Sequence, residues 1–154
     1  MKIPDDWREF IGLMNSHGVD YLLVGGHAVG FHGHPRLTGD IDFFVRPTAE
    51  NAAALARVLE EFGFEKTDEL RKEFAKPDKI VQLGRPPFRI DLLTSISGVN
   101  FADAEAECMA AVLDGVAIRV IGKEALLTNK RTSGRPKDLV DVAELEKVDR
   151  VKGR

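Results

Sequence analysis

The chain has 154 residues, with 22 basic side chains against 25 acidic ones and a formal net charge of −3. This balance excludes a global basic field of the kind that draws proteins onto nucleic acids. The length fits one domain, residues 1–154, without room for a full separate substrate domain. With a lone cysteine, no signal-peptide pattern and no long apolar segment, we expect a cytoplasmic protein without membrane contact.

The first predicted elements are a helix and a strand. Apolar residues at helical spacing indicate a helix that Asp5 or Asp6 is placed to cap and that ends at Gly18. The apolar run over 20–24 then predicts a short buried strand. A helix followed by a buried strand begins the pattern of alternating elements that continues along the chain.

A glycine pair, Gly25-Gly26, follows this strand and precedes a predicted helix that runs to about Phe31. Glycine lets the backbone approach a phosphate closely, and the N–H groups at a helix start favour negative charge. The pair is therefore a candidate anion site. The alternative is a plain turn without a ligand, because paired glycines are common turn formers.

Two aspartates one residue apart, Asp40 and Asp42, open the next predicted strand, which continues to Val45. Successive side chains of a strand point to opposite faces, so both carboxylates project the same way, about 6.5 Å apart along the backbone. Two like charges aimed at one point repel unless a cation lies between them, and Mg²⁺ prefers such oxygen ligands. The alternative is a solvated strand end that carries two acids.

One strong helix occupies the middle of the chain. Pro47-Thr48 opens an amphipathic helix over 49–62, and Gly63 is placed to end it. The segment 64–78 is mixed and charged, and we expect a turn or one short strand there.

A predicted hairpin with strands 79–83 and 88–94 carries a third acid, Asp91. A carboxylate within an apolar strand is costly to bury unless it is paired or bound to metal. If this strand lies beside the one that carries Asp40 and Asp42, three carboxylates converge near the glycine turn. That arrangement suits two-metal phosphoryl transfer, in which ions about 3.5–4 Å apart hold the attacking and leaving oxygens.

The last third of the chain predicts a hairpin and a helical pair. Asp114-Gly115 between two apolar runs is a hairpin signal, although residues 101–113 are equally compatible with a helix. Helices over 123–132 and 136–147 close the chain, the second with proline in its first turn. Together the elements predict one α+β domain with a mixed or antiparallel sheet.

Basic side chains cluster where the two C-terminal helices meet. The cluster contains Lys130, Arg131, Arg135 and Lys137. Of these, Lys130 and Lys137 could supply charge to a triphosphate, because negative charge is what phosphoryl transfer must stabilise. The alternative is a solvated corner between two helices. Asp138 and Asp141 lie three residues apart on one helical face, where we expect them to orient basic residues instead of binding metal.

Three histidines, His27, His32 and His34, cluster around the glycine turn. We predict no dedicated zinc site there, because no cysteine or further run of ligands accompanies them. Arg36 is placed to reach a nucleotide phosphate or to be a surface arginine. Thr38 either donates its hydroxyl to a ligand or satisfies the entry of the acidic strand.

The order Gly25-Gly26, Asp40-Ile41-Asp42 and Asp91 resembles the signature of the polymerase-beta-type nucleotidyltransferase superfamily, in which a glycine turn precedes an Asp-x-Asp strand. More narrowly, the stretches 35–42 and 130–141 resemble small bacterial nucleotidyltransferases of the AbiEii toxin type. The similarity runs from about residue 21 to residue 145. It implies the minimal nucleotidyltransferase fold, an α+β fold whose sheet is flanked by helices and carries the C-terminal helical pair.

This resemblance implies transfer of a nucleoside monophosphate from an NTP to a hydroxyl, with release of pyrophosphate and with Mg²⁺, or alternatively Mn²⁺, as cofactor. The acceptor would be RNA such as transfer RNA, a partner protein or a small molecule, and the toxin-type relatives imply a cognate antitoxin. Pairing with a second copy could complete a shallow acceptor cleft. The implied catalytic residues are Asp40, Asp42, Asp91 and Lys130, the three aspartates also as metal ligands, and the implied nucleotide-binding residues are Gly25, Gly26, Arg36, Thr38 and Lys137.

Two other classes of protein fit the same sequence. The first is a nucleotide-binding or regulatory partner, such as one half of a toxin–antitoxin pair, that keeps the site without turnover. The second is a protein interaction module in which the acids are coincidental. The complete set of three acids favours the enzyme over both.

Overall fold

Within residues 2–35 and 38–151, which the computed structural model describes, helices and strands alternate along the chain. In chain order they are α1 (Asp5–Ser16), β1 (Tyr21–Val24), α2 (Gly25–Phe31), β2 (Asp40–Val45), α3 (Ala49–Phe62), α4 (Asp68–Phe74), β3 (Ile80–Leu83), β4 (Arg89–Leu93), α5 (Phe101–Ala106), β5 (Met109–Leu113), β6 (Val116–Val120), α6 (Lys123–Ser133) and α7 (Pro136–Val151). In this described part of the chain, no helix combines the length and the apolar character needed to span a bilayer.

The strands form a mixed sheet in the order β3-β4-β2-β1-β6-β5. Strand β2 pairs antiparallel with β1 and parallel with β4, and β1 pairs parallel with β6. The hairpins β3–β4 and β5–β6 add antiparallel pairs at the two edges. This sheet, with helices packed against it and α6 against α7, confirms the predicted α+β class and its C-terminal helical pair.

The core is built from the apolar faces that the sequence pattern predicts. Alternation along β2 turns Ile41 and Phe43 into this core, where both are fully buried. Phe10 of α1 and Tyr21 of β1 pack on Phe43, with ring centroids 6.4 and 5.6 Å apart. The opposite face at the start of β2 is thereby left to the two aspartates, which are half-buried.

Helix α3 begins and ends where the sequence predicts. Thr48 accepts a hydrogen bond from the backbone N–H of Asn51, and Gly63 ends the helix in the left-handed conformation. The buried Asn51 side chain also ties α3 to the strand ends. Its Oδ1 accepts from the N–H of Asp20 at 2.7 Å, and its Nδ2 donates to the carbonyl oxygens of Asp20 and Arg46, both at 3.0 Å.

The segment 64–78 differs from the predicted turn or short strand, because it contains the helix α4. Phe74 at its end is fully buried and Leu70, one turn earlier, is partly buried against the core. Only two apolar residues stand at helical spacing among the charged ones, which is too few for the sequence pattern to indicate a helix. The helix α4 is therefore stabilised by the packing of Phe74 in the core more than by its local sequence.

Two smaller predictions have opposite outcomes. No side chain caps α1, because Pro4 occupies the N-cap and Asp5 pairs with Arg8 at 2.7 Å. The predicted hairpin at Asp114-Gly115 is confirmed, with φ values of 47° and 81° in the left-handed region that tight hairpin turns need. The competing helix over 101–113 extends no further than α5.

We expect Asn51→Ala to lower the free energy of unfolding by about 1–3 kcal/mol, because it removes the acceptor of the Asp20 N–H. The carbonyl oxygens of Asp20 and Arg46 lose one donor each and keep a backbone N–H as the other. Urea denaturation followed by circular dichroism measures the change. Arg57→Ala, at an exposed position of the same helix, is the control and should stay within about 0.5 kcal/mol of the parent protein. A loss below about 1 kcal/mol for Asn51→Ala would contradict this role.

Candidate active site

The register of the β2–β4 pair brings the three predicted acids to one cleft. The strands run parallel, with Asp42 directly opposite Asp91 and Asp40 opposite Arg89. Because Asp40 and Asp42 share one face of β2, all three carboxylates line the same cleft, which has a volume of about 430 Å³. The convergence of the three acids required the strand of Asp91 to lie beside the strand of Asp40 and Asp42, and the two strands do lie side by side in the sheet.

Asp42 carries a strongly perturbed carboxyl group. Burial raises its pKa, the adjacent Asp91 raises it further through its charge and through a hydrogen bond between the two groups, and Asp40 adds to the effect. The charge of Lys130 acts in the opposite direction, and the resulting pKa of Asp42 is about 7. The Asp42 carboxyl group therefore gains or loses its proton near neutral pH.

The two glycines of the predicted anion turn lie in different surroundings. A Cβ atom on Gly25 would overlap the Oδ2 of Asp42 and lie 2.9 Å from its Cγ, and the φ of +69° is itself one that favours glycine. Gly26 is buried and lines a separate, apolar pocket of about 220 Å³ together with Leu23 and Phe31. Gly25 is thus the member of the pair that lines the acidic cleft.

Arg89, for which the sequence pattern suggested no role, lies among the acids. Its Nε donates to Oδ1 of Asp91 at 2.8 Å, and its Nη2 donates to Oδ2 of Asp91 at 3.1 Å and to Oδ2 of Asp40 at 2.8 Å. The guanidinium forks onto one carboxylate and bridges to a second. A signal was present, since Arg89 stands two residues before Asp91 and alternation puts both on one face of β4.

Lys130 forms the side of the cleft where α6 meets α7. Its side chain is 6% exposed, and its Nζ lies 3.2 Å from Oδ1 of Asp138 and 3.2 Å from Oδ2 of Asp141. Burial acts to raise the pKa of Asp138, but hydrogen bonds from Arg135, Ser133 and Lys130 bring that pKa down to about 2. Asp138 and Asp141 thus hold a basic residue in place, as their helical spacing suggested.

The remaining predicted nucleotide contacts fall in three places. Lys137 is exposed and lines the acidic cleft. The hydroxyl of Thr38 donates to the carbonyl oxygen of Asp40 at 3.4 Å, which favours its interpretation as a residue that satisfies the strand entry. Arg36 lies outside the described residues.

The three histidines make separate contacts. His32 Nε2 lies 2.7 Å from the carbonyl oxygen of Ile121, and His34 Nδ1 lies 4.0 Å from a carboxylate oxygen of α7. The ring of His27 stands edge-on to that of Trp7, with centroids 5.3 Å apart. These rings therefore do not converge on one point.

The donor set of the cleft fits a hard divalent ion, although Arg89 holds part of it. Carboxylate oxygens are the ligands that Mg²⁺ prefers. Burial, and after it the neighbouring acids Asp91 and Asp40, disfavours the charged form of Asp42, and a divalent ion at this place would favour that form. Among the residues described, no group of three or more His, Cys, Asp or Glu side chains is disposed to hold a metal. The guanidinium of Arg89 bridges Asp40 and Asp91, so it would have to move before both carboxylates could face an ion.

Known proteins resemble this chain in sequence family and in fold. A family model described as "Nucleotidyl transferase of unknown function (DUF2204)" matches residues 4–153. No curated protein matches the sequence. The crystal structure of a "putative nucleotidyltransferase" from Thermotoga maritima is similar with a TM-score of 0.55 and 14% identity, over 96% of this chain and 88% of that chain. At this identity the likeness shows the fold alone, and neither match distinguishes the AbiEii type.

Gly25→Ala is expected to lower the free energy of unfolding by more than Gly18→Ala does. Both glycines have nearly the same φ, +69° and +67°, but a Cβ at Gly18 meets nothing within 4 Å whereas a Cβ at Gly25 meets the carboxylate of Asp42. The strain of a left-handed residue, about 1–3 kcal/mol, is common to both variants. The difference between them in urea denaturation measures the clash, and equal losses would refute the close packing of Gly25 on Asp42.

The raised pKa of Asp42 makes stability depend on pH in a defined direction. Between the ordinary value of 3.8 and about 7, the folded protein holds a proton that the unfolded chain has lost. The contribution of this group is therefore complete at low pH and is lost as the pH rises towards 7. We expect Asp42→Asn, which lacks this titration, to gain stability relative to the parent protein between about pH 5 and about pH 8 in urea denaturation. Parallel stability profiles would argue against the shift.

Proposed function

This chain belongs to the nucleotidyl transferase family whose model covers residues 4–153, and on that basis we propose that its acidic cleft transfers a nucleoside monophosphate from an NTP to a hydroxyl group. The observation that carries the proposal is the parallel register of β2 and β4, which sets Asp42 opposite Asp91 with Asp40 on the same face. Gly25 lines the same cleft, where its missing side chain leaves room for the carboxylate of Asp42, and it is the proposed phosphate contact of the glycine turn.

In the proposed reaction the acceptor oxygen forms a bond to the α-phosphorus, the bond from that phosphorus to the bridging oxygen breaks, and pyrophosphate leaves. The proton of the acceptor hydroxyl passes to Asp91, which lies directly opposite Asp42 in the sheet. Asp40, Asp42 and Asp91 would hold Mg²⁺ or Mn²⁺, which when bound neutralises phosphate charge in the reacting centre.

Positive charge reaches the cleft from α6 and α7. The exposed Lys137 is placed to contact the triphosphate. Lys130 is buried between two carboxylates, so we assign it a contribution through its charge, which acts to lower the pKa of Asp42. Arg36, from the stretch that precedes β2, is proposed as a further phosphate contact on its sequence position, and Thr38 as the residue that holds the backbone of Asp40.

The proposed acceptor is a hydroxyl of an RNA such as transfer RNA, of a partner protein or of a small molecule. The resemblance of stretches 35–42 and 130–141 to AbiEii-type toxins supports the first two, together with a cytoplasmic toxin–antitoxin role and a cognate antitoxin. The net charge of −3 favours a protein over RNA, since like charges repel. Pairing of two copies is proposed to add acceptor surface beside the cleft.

A catalytically silent nucleotide-binding protein is the second candidate, and one observation favours it. Arg89 already neutralises Asp40 and Asp91, and an arginine that stayed there would leave nucleotide binding without metal-assisted transfer. Calorimetry that detects NTP binding, with no pyrophosphate released across RNA, protein and small-molecule acceptors, would favour this candidate.

We expect Asp42→Asn and Asp91→Asn each to lower transfer of label from an α-labelled NTP by about 10²-fold or more, because each removes a carboxylate from the reacting centre. The assay uses cell extract and each common NTP in turn, and loss of label to RNase or to protease identifies the acceptor class.

The matched control for this assay is Asp20→Asn. Asp20 precedes β1 at the end remote from Gly25, where it pairs with Arg46 at 2.8 Å. This variant also removes an aspartate that is ion-paired with an arginine, and we expect it to keep parent activity. Unchanged label transfer in both cleft variants, with the fold intact, would overturn the proposed function.

A further inference from the structure

Arg89 holds carboxylate oxygens that a metal ion in the cleft would need. Its Nε and Nη2 donate to the two oxygens of Asp91 at 2.8 and 3.1 Å, and Nη2 also donates to Oδ2 of Asp40 at 2.8 Å. The arginine comes from β4 itself, opposite Asp40 in the parallel register. A cation supplied by the chain therefore already bridges two of the three acids.

This contact differs from an ordinary surface ion pair. Exposed pairs contribute little because water screens both charges, but the side chain of Arg89 is 24% exposed and that of Asp91 only 10%. The two hydrogen bonds to Asp91 fix the orientation of the Arg89 guanidinium as well as its distance from the carboxylate. Asp40 and Asp91 share the cleft with Asp42, and carboxylates this close repel one another unless a cation stays among them. Arg89 is thus placed to hold β2 and β4 together in the metal-free protein.

We propose that Arg89 is a positioning residue that competes with the divalent cation for Asp40 and Asp91, so that metal enters the cleft as the guanidinium leaves it. The inference rests on the proposed function, because it concerns the same acids. A guanidinium and a divalent ion repel each other at the distance set by shared carboxylates. The oxygens of an incoming triphosphate offer the displaced guanidinium a matching partner.

The alternative is that Arg89 has a purely structural role. The two roles predict different changes in the affinity for metal when Arg89 is removed. If Arg89 only aligned the two strands, its removal would misplace the acids and leave the affinity for metal unchanged or lower. If Arg89 competes with metal, its removal raises that affinity. The affinity for metal without nucleotide therefore separates the two roles.

The experiment is titration of the full chain with Mn²⁺, followed by calorimetry or by water-proton relaxation. We expect Arg89→Gln to bind Mn²⁺ about tenfold more tightly than the parent protein. Arg89→Lys keeps the charge but loses the fork, and its affinity should lie between the two. An Arg89→Gln affinity equal to or weaker than that of the parent protein would overturn the inference.

The matched control is Arg135→Gln. Arg135 lines the same cleft, but its guanidinium contacts Asp138 at 2.7 Å and none of the three acids. Loss of one positive charge from the cleft is common to both variants, and we expect it to change the Mn²⁺ affinity of Arg135→Gln by less than about threefold. A gain as large as that of Arg89→Gln would show a general charge effect and overturn direct competition.

Thermal unfolding gives a second readout. In EDTA, Arg89→Gln should unfold at a lower temperature than the parent protein, because the acids have lost their counter-ion. The same saturating Mn²⁺ concentration should then raise the Tm of the variant by more than it raises that of the parent, since stabilisation by a ligand of the native state grows with the logarithm of its concentration divided by its Kd. A smaller rise in the variant would contradict competition.

Failure of this inference and failure of the proposed function give different results. Label transfer by the parent protein, with unchanged Mn²⁺ affinity in Arg89→Gln, would overturn competition alone. Tighter Mn²⁺ binding by Arg89→Gln, without label transfer to any acceptor, would overturn the transferase and leave competition standing. Absence of Mn²⁺ binding in both proteins would overturn competition and the metal-holding role of the acids together.

Discussion

The parallel pairing of β2 with β4 is the constraint on which the candidate site depends. It sets Asp42 beside Asp91 in a register that also leaves Asp40 on the cleft face. A slip of one residue in either strand would turn its acids to the opposite face. On that face Ile41 and Phe43 are fully buried, so a slip would exchange buried aromatic and aliphatic side chains for charges. The apolar residues thus determine the register, and the register assembles the acids.

Features with a local cause could be predicted from the sequence. Helix α3 has the predicted bounds because the cap at Thr48 and the left-handed Gly63 act within its own first and last turns. Asp91 drew attention because a carboxylate among apolar strand residues needs a partner. The α+β class follows from the types and order of such elements, and the mixed sheet and the related fold both agree with it.

Features that depend on which elements are neighbours could not be predicted in the same way. Strand alternation puts Arg89 on the acidic face of β4, but the bridge to Asp40 forms only because β2 lies alongside. The sequence motif does not distinguish Gly25 from Gly26. The turn sends the first of them against Asp42 and the second into an apolar pocket, a division that only the path of the backbone determines.

Neither acidic strand lies at an edge of the sheet, since β3 and β1 flank the β4–β2 pair. Amides in such internal strands are among the last to exchange with solvent, because opening them requires disruption on both sides. The basic wall, by contrast, comes from the end of α6, the start of α7 and the turn between them. The cleft therefore has one wall of internal strands and one wall of helix ends. The spacing of the carboxylates is organised when the chain folds, so no ligand has to establish it.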